Sequence, residues 1–178
     1  MTSDSIRPRV LVAAASKRGA TAQIANHIGE TLRRRGCEVT VADAADVDKL
    51  DGYDAVVLGS AVYAGHWLDD AKVRADRIAV HRLRPTVWLF SSGPVGDPPR
   101  HREDPVNVAA ITDATTPREH RVFAGKIDKS QLDLAERAIM IAVRAPDGDF
   151  RALDAIAAWA NEIADTLQAA SAGQEPAS

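Results

Sequence analysis

Apolar runs and amphipathic stretches alternate along this chain. Arg9–Ala15 (RVLVAAA) is apolar after its first residue, as a strand buried on both faces is. Ile24, Ala25, Ile28 and Leu32 then recur at helical spacing, which predicts a helix from Thr21 to about Arg35. Arg33, Arg34 and Arg35 crowd its last turn, where cations suit the helix dipole, and Gly36 is its stop. Glu38–Ala42 reads as a second strand, Val47–Leu50 as a short helical turn and Ala55–Ser60 as a third strand. A helix over Asp69 to about Ala79 precedes a fourth strand, Pro85–Ser91, and a fifth, His120–Ile127. Two helices follow: the apolar Leu132–Val143, and Phe150–Ala169 with Ile156, Trp159, Ile163 and Leu167 on one face.

Strands alternating with helices call for a parallel sheet covered on both faces. Such sheets bind ligands beyond the carboxyl ends of the strands, near the point where strand order reverses. Three junctions lie at those ends: Ser16–Thr21, Ser60–Trp67 and Ser91–Asp97. The span Gly93–Glu119 carries five of the nine prolines and reads as a functional loop or an irregular excursion.

The length of 178 residues fits one domain, taken as 1–169, followed by a small polar tail, 170–178, expected to be disordered. At 46% apolar and 26% charged the composition is that of a globular protein. Cys37 is the single cysteine, which excludes an internal disulfide framework and a cysteine-built metal site; no metal is expected. A net charge of −3 gives no pull toward nucleic acid. No apolar run approaches the roughly 20 residues of a membrane span, and MTSDSIRPR has no signal-peptide character, so a cytoplasmic location is expected.

The first junction, Ser16-Lys17-Arg18-Gly19-Ala20-Thr21, lacks both the Gly-Lys-Ser/Thr of a triphosphate loop and the G-x-G-x-x-G of a dinucleotide fold. Two hydroxyls, two cations, a glycine and the open N–H groups of a helix start suit a single phosphate monoester. Ser16 or Thr21 acting only as a helix cap explains the same residues.

The stretches V-L-V-A-A-A-S-K-R-G-A-T and D-A-V-V-L-G-S-A-V-Y-A-G-H-W, with V-F-A-G-K-I and R-A-I-M-I-A-V later, resemble the flavodoxin-like family. Within it they are most similar to the branch of flavin-dependent, menaquinone-linked protoporphyrinogen oxidases. The resemblance covers Arg9 to about Leu167. It implies an αβα sandwich of three layers around a five-stranded parallel sheet of order 2-1-3-4-5, with bound FMN. By position, Ser16, Lys17, Arg18, Gly19, Ala20 and Thr21 would hold the phosphate. Ala61, Val62, Tyr63, Ala64 and Gly65 would line one side of the isoalloxazine ring, and Ser92, Gly93, Pro94 and Val95 the other.

Tyr63 is expected to stack on the ring, and Trp67 either to join it or to pack on the sheet edge. Trp88 and Trp159 are expected in the core. His66 is the candidate catalytic residue, placed to donate to flavin or substrate or to steady its loop. No acidic residue lies in Ser16–Thr21 or Ser60–Trp67, so a reduced anionic ring is less disfavoured than in strongly acidic carriers. Three readings follow. The first is an FMN-dependent oxidoreductase, passing electrons or hydride from a donor (nicotinamide, deazaflavin or a reductase) to a quinone-type or small-molecule acceptor. The others are a single-electron carrier and an interaction domain without FMN. The helix Leu132–Val143 either covers the sheet, lines a channel or touches a membrane surface.

Overall fold

The computed structural model describes residues 7–63, 65–93, 108–123, 126–127, 148–149 and 153–173. Among them the chain runs β1 (Arg9–Ala15), α1 (Ala20–Arg34), β2 (Glu38–Asp43), β3 (Ala55–Tyr63), β4 (His66–Trp67) and α2 (Asp69–Ala79). It continues with β5 (Thr86–Ser92), α3 (Val108–Thr115), β6 (Glu119–Phe123), β7 (Lys126–Ile127), β8 (Gly148–Asp149) and α4 (Leu153–Ala172).

The five long strands lie in the order β2-β1-β3-β5-β6, every neighbouring pair parallel. Counted by long strands alone this is the expected 2-1-3-4-5; the sheet differs by the short β4, which turns back antiparallel on the end of β3. β1, β3 and β5 are almost wholly buried because helices cover both faces. On one face Val10, Val12, Val57, Trp88 and Phe90 pack with Ile24, Ile28 and Leu32 of α1 and Ile156, Trp159 and Ile163 of α4. On the other, Leu11, Ala13, Val56, Leu58 and Leu89 pack with Ala71, Ala75 and Ile78 of α2 and Val108 and Ile111 of α3. Three layers result, with Trp88 and Trp159 in the core as expected. Cys37 is buried too, and burial pushes its thiol pKa up against the opposing pull of Arg35.

The elements depart from the sequence pattern in five places. β3 runs past Ser60 to Tyr63, because Ala61 pairs with Ser92 of β5 and Val62 and Tyr63 pair with β4. The fifth strand ends at Phe123, and Lys126–Ile127 pairs instead with Gly148–Asp149; Gly125 interrupts the apolar pattern between them, and glycine weakens a strand. The turn expected at Val47–Leu50 forms earlier, at Ala44–Asp46, where the Asp43 side chain accepts from the Ala45 N–H at 2.9 Å. The span read as a loop from Gly93 to Glu119 contains α3, which buries Val108, Ile111 and Thr115 at helical spacing. α4 runs three residues past Ala169, into the stretch expected to be disordered. The helix expected over Leu132–Val143 and the tail from Gln174 lie outside the described residues.

Candidate functional site

Ala15 is paired with Ser60, and Ser60 with Ser91, so the three junctions leave the sheet at one level. They do so where the chain goes from β1 to β2 on one side and returns to β3 on the other, which is the strand-order switch.

At the first junction Ser16 is half-buried, and its Oγ accepts from the Gly19 N–H at 3.0 Å. That contact closes the turn around Lys17 and Arg18. Gly19 stands at the N-cap with φ 83°, a left-handed conformation that glycine adopts without a Cβ clash. Among the described residues no side chain caps α1, and its first turn carries no acidic residue that would offset the positive helix end. Ala20 and Thr21 open the helix; Thr21 is 2% exposed, while Lys17 and Arg18 are exposed. Ser16 therefore does close a local turn, and its hydroxyl proton remains a donor.

The second junction is a hairpin. Val62 pairs with Trp67, and Tyr63 with His66. Ala61, Val62 and Tyr63 are half-buried, and Gly65 has φ 76° at the tip. The Lys17 Nζ lies 4.7 Å from the centre of the Tyr63 ring, which brings the first and second junctions together. His66 is exposed beside Tyr63. Just beyond the hairpin, the hydrogen bond and charge of Lys72 (2.7 Å) hold the Asp69 carboxyl below its usual range.

At the third junction Ser92 is buried opposite Ala61, and the Gly93 N–H donates to the Phe123 carbonyl at 3.1 Å. Ala64, Pro94, Val95 and Asp97 lie outside the described residues.

Trp67 takes the edge-packing alternative: it is 2% exposed, and its Nε1 donates to Ser91 Oγ at 2.8 Å. Ser91 Oγ is also 2.8 Å from His120 Nε2. Ser60 Oγ accepts from the Leu68 N–H at 3.0 Å and donates to the Ala61 carbonyl at 2.8 Å. Sequence reasoning missed Ser60, Ser91 and His120 as a group. The available signal was two serines ending apolar strands, where a buried hydroxyl needs a partner. A separate cavity of about 280 Å³, bounded by Ile78, Arg84, Val87, Thr116 and Arg118, opens at the amino end of β5, away from these junctions.

Residues 11–154 match the flavodoxin domain family. No curated protein sequence matches the chain. Among solved structures, rubredoxin oxygen:oxidoreductase from Desulfovibrio gigas superposes with a TM-score of 0.64 at 16% identity, over 92% of this chain and 37% of that one. A flavodoxin from the domain Archaea gives 0.59 at 18% identity, over 90% of this chain and 99% of its own. A Fusobacterium nucleatum flavodoxin mutant bound to flavin mononucleotide gives 0.51 at 14% identity, over 66% and 69%.

Proposed function

The chain belongs to the flavodoxin family, and from that premise we propose that it binds FMN across the carboxyl ends of β1, β3 and β5 and transfers electrons. The single observation that carries the reading is the joining of the first two junctions, with Lys17 4.7 Å over the Tyr63 ring at the strand-order switch. It sets a phosphate-suited turn beside an aromatic face. The donor set fits the group. The turn and α1 supply N–H groups, Ser16 and Thr21 supply hydroxyls, and Lys17 and Arg18 supply charge for the phosphate. Gly19 and Ala20 let the backbone come close. Ala61, Val62, Tyr63 and Gly65 would line one side of the ring, with Ala64 in the same loop; Ser92 and Gly93 would approach the other side, with Pro94 and Val95 following.

Bound FMN would supply reversible one- and two-electron redox chemistry. The chain's part would be to hold the phosphate, stack Tyr63 on the ring and exclude water with the half-buried end of β3 and the buried end of β5. His66, exposed in the hairpin, would be the candidate to donate to flavin or substrate or to steady its loop. The finer reading is an oxidoreductase working between a nicotinamide, deazaflavin or reductase donor and a quinone-type or small-molecule acceptor, similar to the protoporphyrinogen oxidase branch. The lack of acidic residues in Ser16–Thr21 and Ser60–Trp67 supports it. A single-electron carrier is the second reading, supported by the likeness to a flavodoxin over 99% of that chain.

Among the described residues no helix is long and apolar enough to cross a membrane. The test is a titration of the flavin-free protein with FMN, followed by turnover of the loaded protein with donors and quinones. One FMN per chain and rapid quinone-linked turnover are expected. One-electron cycling with no small-molecule turnover would favour the carrier, and absence of FMN binding would reject both.

A further inference from the structure

β4 is two residues long, and a ladder that short does not fix its own position. Yet the hairpin it closes carries Tyr63, Gly65 and His66. Something else must hold it. The hydrogen-bonded chain Trp67–Ser91–His120 draws one residue from each of β4, β5 and β6.

Ser91 is 0% exposed and directly follows the apolar run Val87–Phe90 (VWLF) of β5. A hydroxyl buried there costs stability unless it is paired, and alanine would fill the same place without that cost. Indole N–H is a donor only, so Ser91 Oγ must accept from Trp67. The contact between Ser91 Oγ and His120 Nε2 uses a second valence of the same oxygen, its direction set by the histidine tautomer. The Trp67 and His120 rings also meet edge-on at 6.4 Å. One residue after Trp67, the Leu68 N–H is tied to Ser60 on β3. The hairpin base is therefore held by hydroxyls at the ends of β3 and β5, and one of them is itself held from β6.

We propose that Trp67–Ser91–His120 is a positioning device for the hairpin: it locks β4 onto the end of β5 and thereby fixes the Tyr63 face on which a flavin ring would lie. None of its members touches the ring in this proposal; Ser91 and His120 act through Trp67. The part concerning the ring rests on the FMN reading above, whereas the part concerning the hairpin does not.

The test compares Ser91→Ala, His120→Leu and His120→Gln, the last keeping an acceptor near the position of Nε2. In the flavin-free full-length protein, amide hydrogen exchange over Val62–Leu68 should speed up tenfold or more in Ser91→Ala and His120→Leu, with α1 and β1 unchanged. His120→Gln should restore protection. For binding, FMN and riboflavin should both weaken by the same factor, about three- to tenfold, in the first two variants. Their affinity ratio, which reports the phosphate turn, should stay at the wild-type value. Unchanged exchange in the hairpin, loosening spread evenly over the sheet, or a loss seen for FMN but not riboflavin would each overturn the proposal. If Ser91→Ala fails to fold, the two His120 variants decide. If the wild type binds neither flavin, the FMN reading falls, and hydrogen exchange alone judges the hairpin device.

Discussion

Replacing Gly59 by alanine tests the packing that holds the site's central strand. Gly59 sits one residue before Ser60, beneath the ring of Phe90 on β5. A Cβ built there would lie 2.0, 2.2 and 2.4 Å from three atoms of that ring. Ordinary carbon contacts are about 3.5–4.0 Å, so ring or strand must retreat by about 1.5 Å. The ring has little room: it is fully buried and lies 6.3 Å from both Phe123 and Trp159, which are themselves 5.5 Å apart. Overpacking of this kind costs about 1–3 kcal/mol, and the crowding here argues for the upper end. Alanine also removes freedom from the unfolded chain, which offsets about 0.4–1 kcal/mol. A net loss of about 2 kcal/mol is expected, or roughly 4–8 °C in Tm at this size. Thermal and urea unfolding should be followed in the wild type and in a Phe90→Leu background. Shrinking the ring should cut the cost of Gly59→Ala by at least about 1 kcal/mol. An equal cost in both backgrounds, or a wild-type cost below about 0.5 kcal/mol, would refute the steric argument.

Arg74 is 3% exposed on α2, and its Nε and Nη2 both donate to the Ala44 carbonyl, at 3.1 and 2.9 Å; Arg74→Lys cannot reproduce that fork and should cost about 1–2 kcal/mol in urea unfolding. Glu119 accepts from Arg121 at 2.6 Å and from Trp159 at 2.7 Å. Burial pushes its pKa up, but these hydrogen bonds and the Arg121 charge outweigh it, leaving the carboxyl below its usual 4.5. Its contribution is therefore present above that value and fades as the pH falls through the lower folded value, so unfolding curves of wild type and Glu119→Gln should differ at neutral pH and converge in acid. Lys17→Gln removes a cation beside Tyr63. In FMN-loaded protein a screened charge of about 0.5–1 kcal/mol corresponds to roughly 20–45 mV, so spectroelectrochemistry should find the second one-electron potential lower by that amount.

The three layers were legible because β1, β3 and β5 are apolar on both faces and α1 and α4 repeat at helical spacing. The first turn was legible because its glycine, hydroxyls and cations interrupt that pattern together. The hairpin's anchoring was not. Ser91 and His120 are twenty-nine residues apart in sequence and meet only because β5 and β6 become neighbours. α3 escaped because Val108, Ile111 and Thr115 make one short stripe among prolines, charges and threonines, so its burial against α2 outweighs a weak local preference. The fifth strand was overextended because period-two alternation alone does not say which partner a strand takes.

The most direct measurement is calorimetric titration of flavin-free wild type and Thr21→Ala with FMN and with riboflavin. One FMN should bind per chain, far more tightly than riboflavin, and Thr21→Ala should shrink that preference by about 1.5–3 kcal/mol, the worth of one hydrogen bond to a charged group. Equal affinity for the two flavins, or no FMN binding at all, would contradict a phosphate held at the turn between β1 and α1.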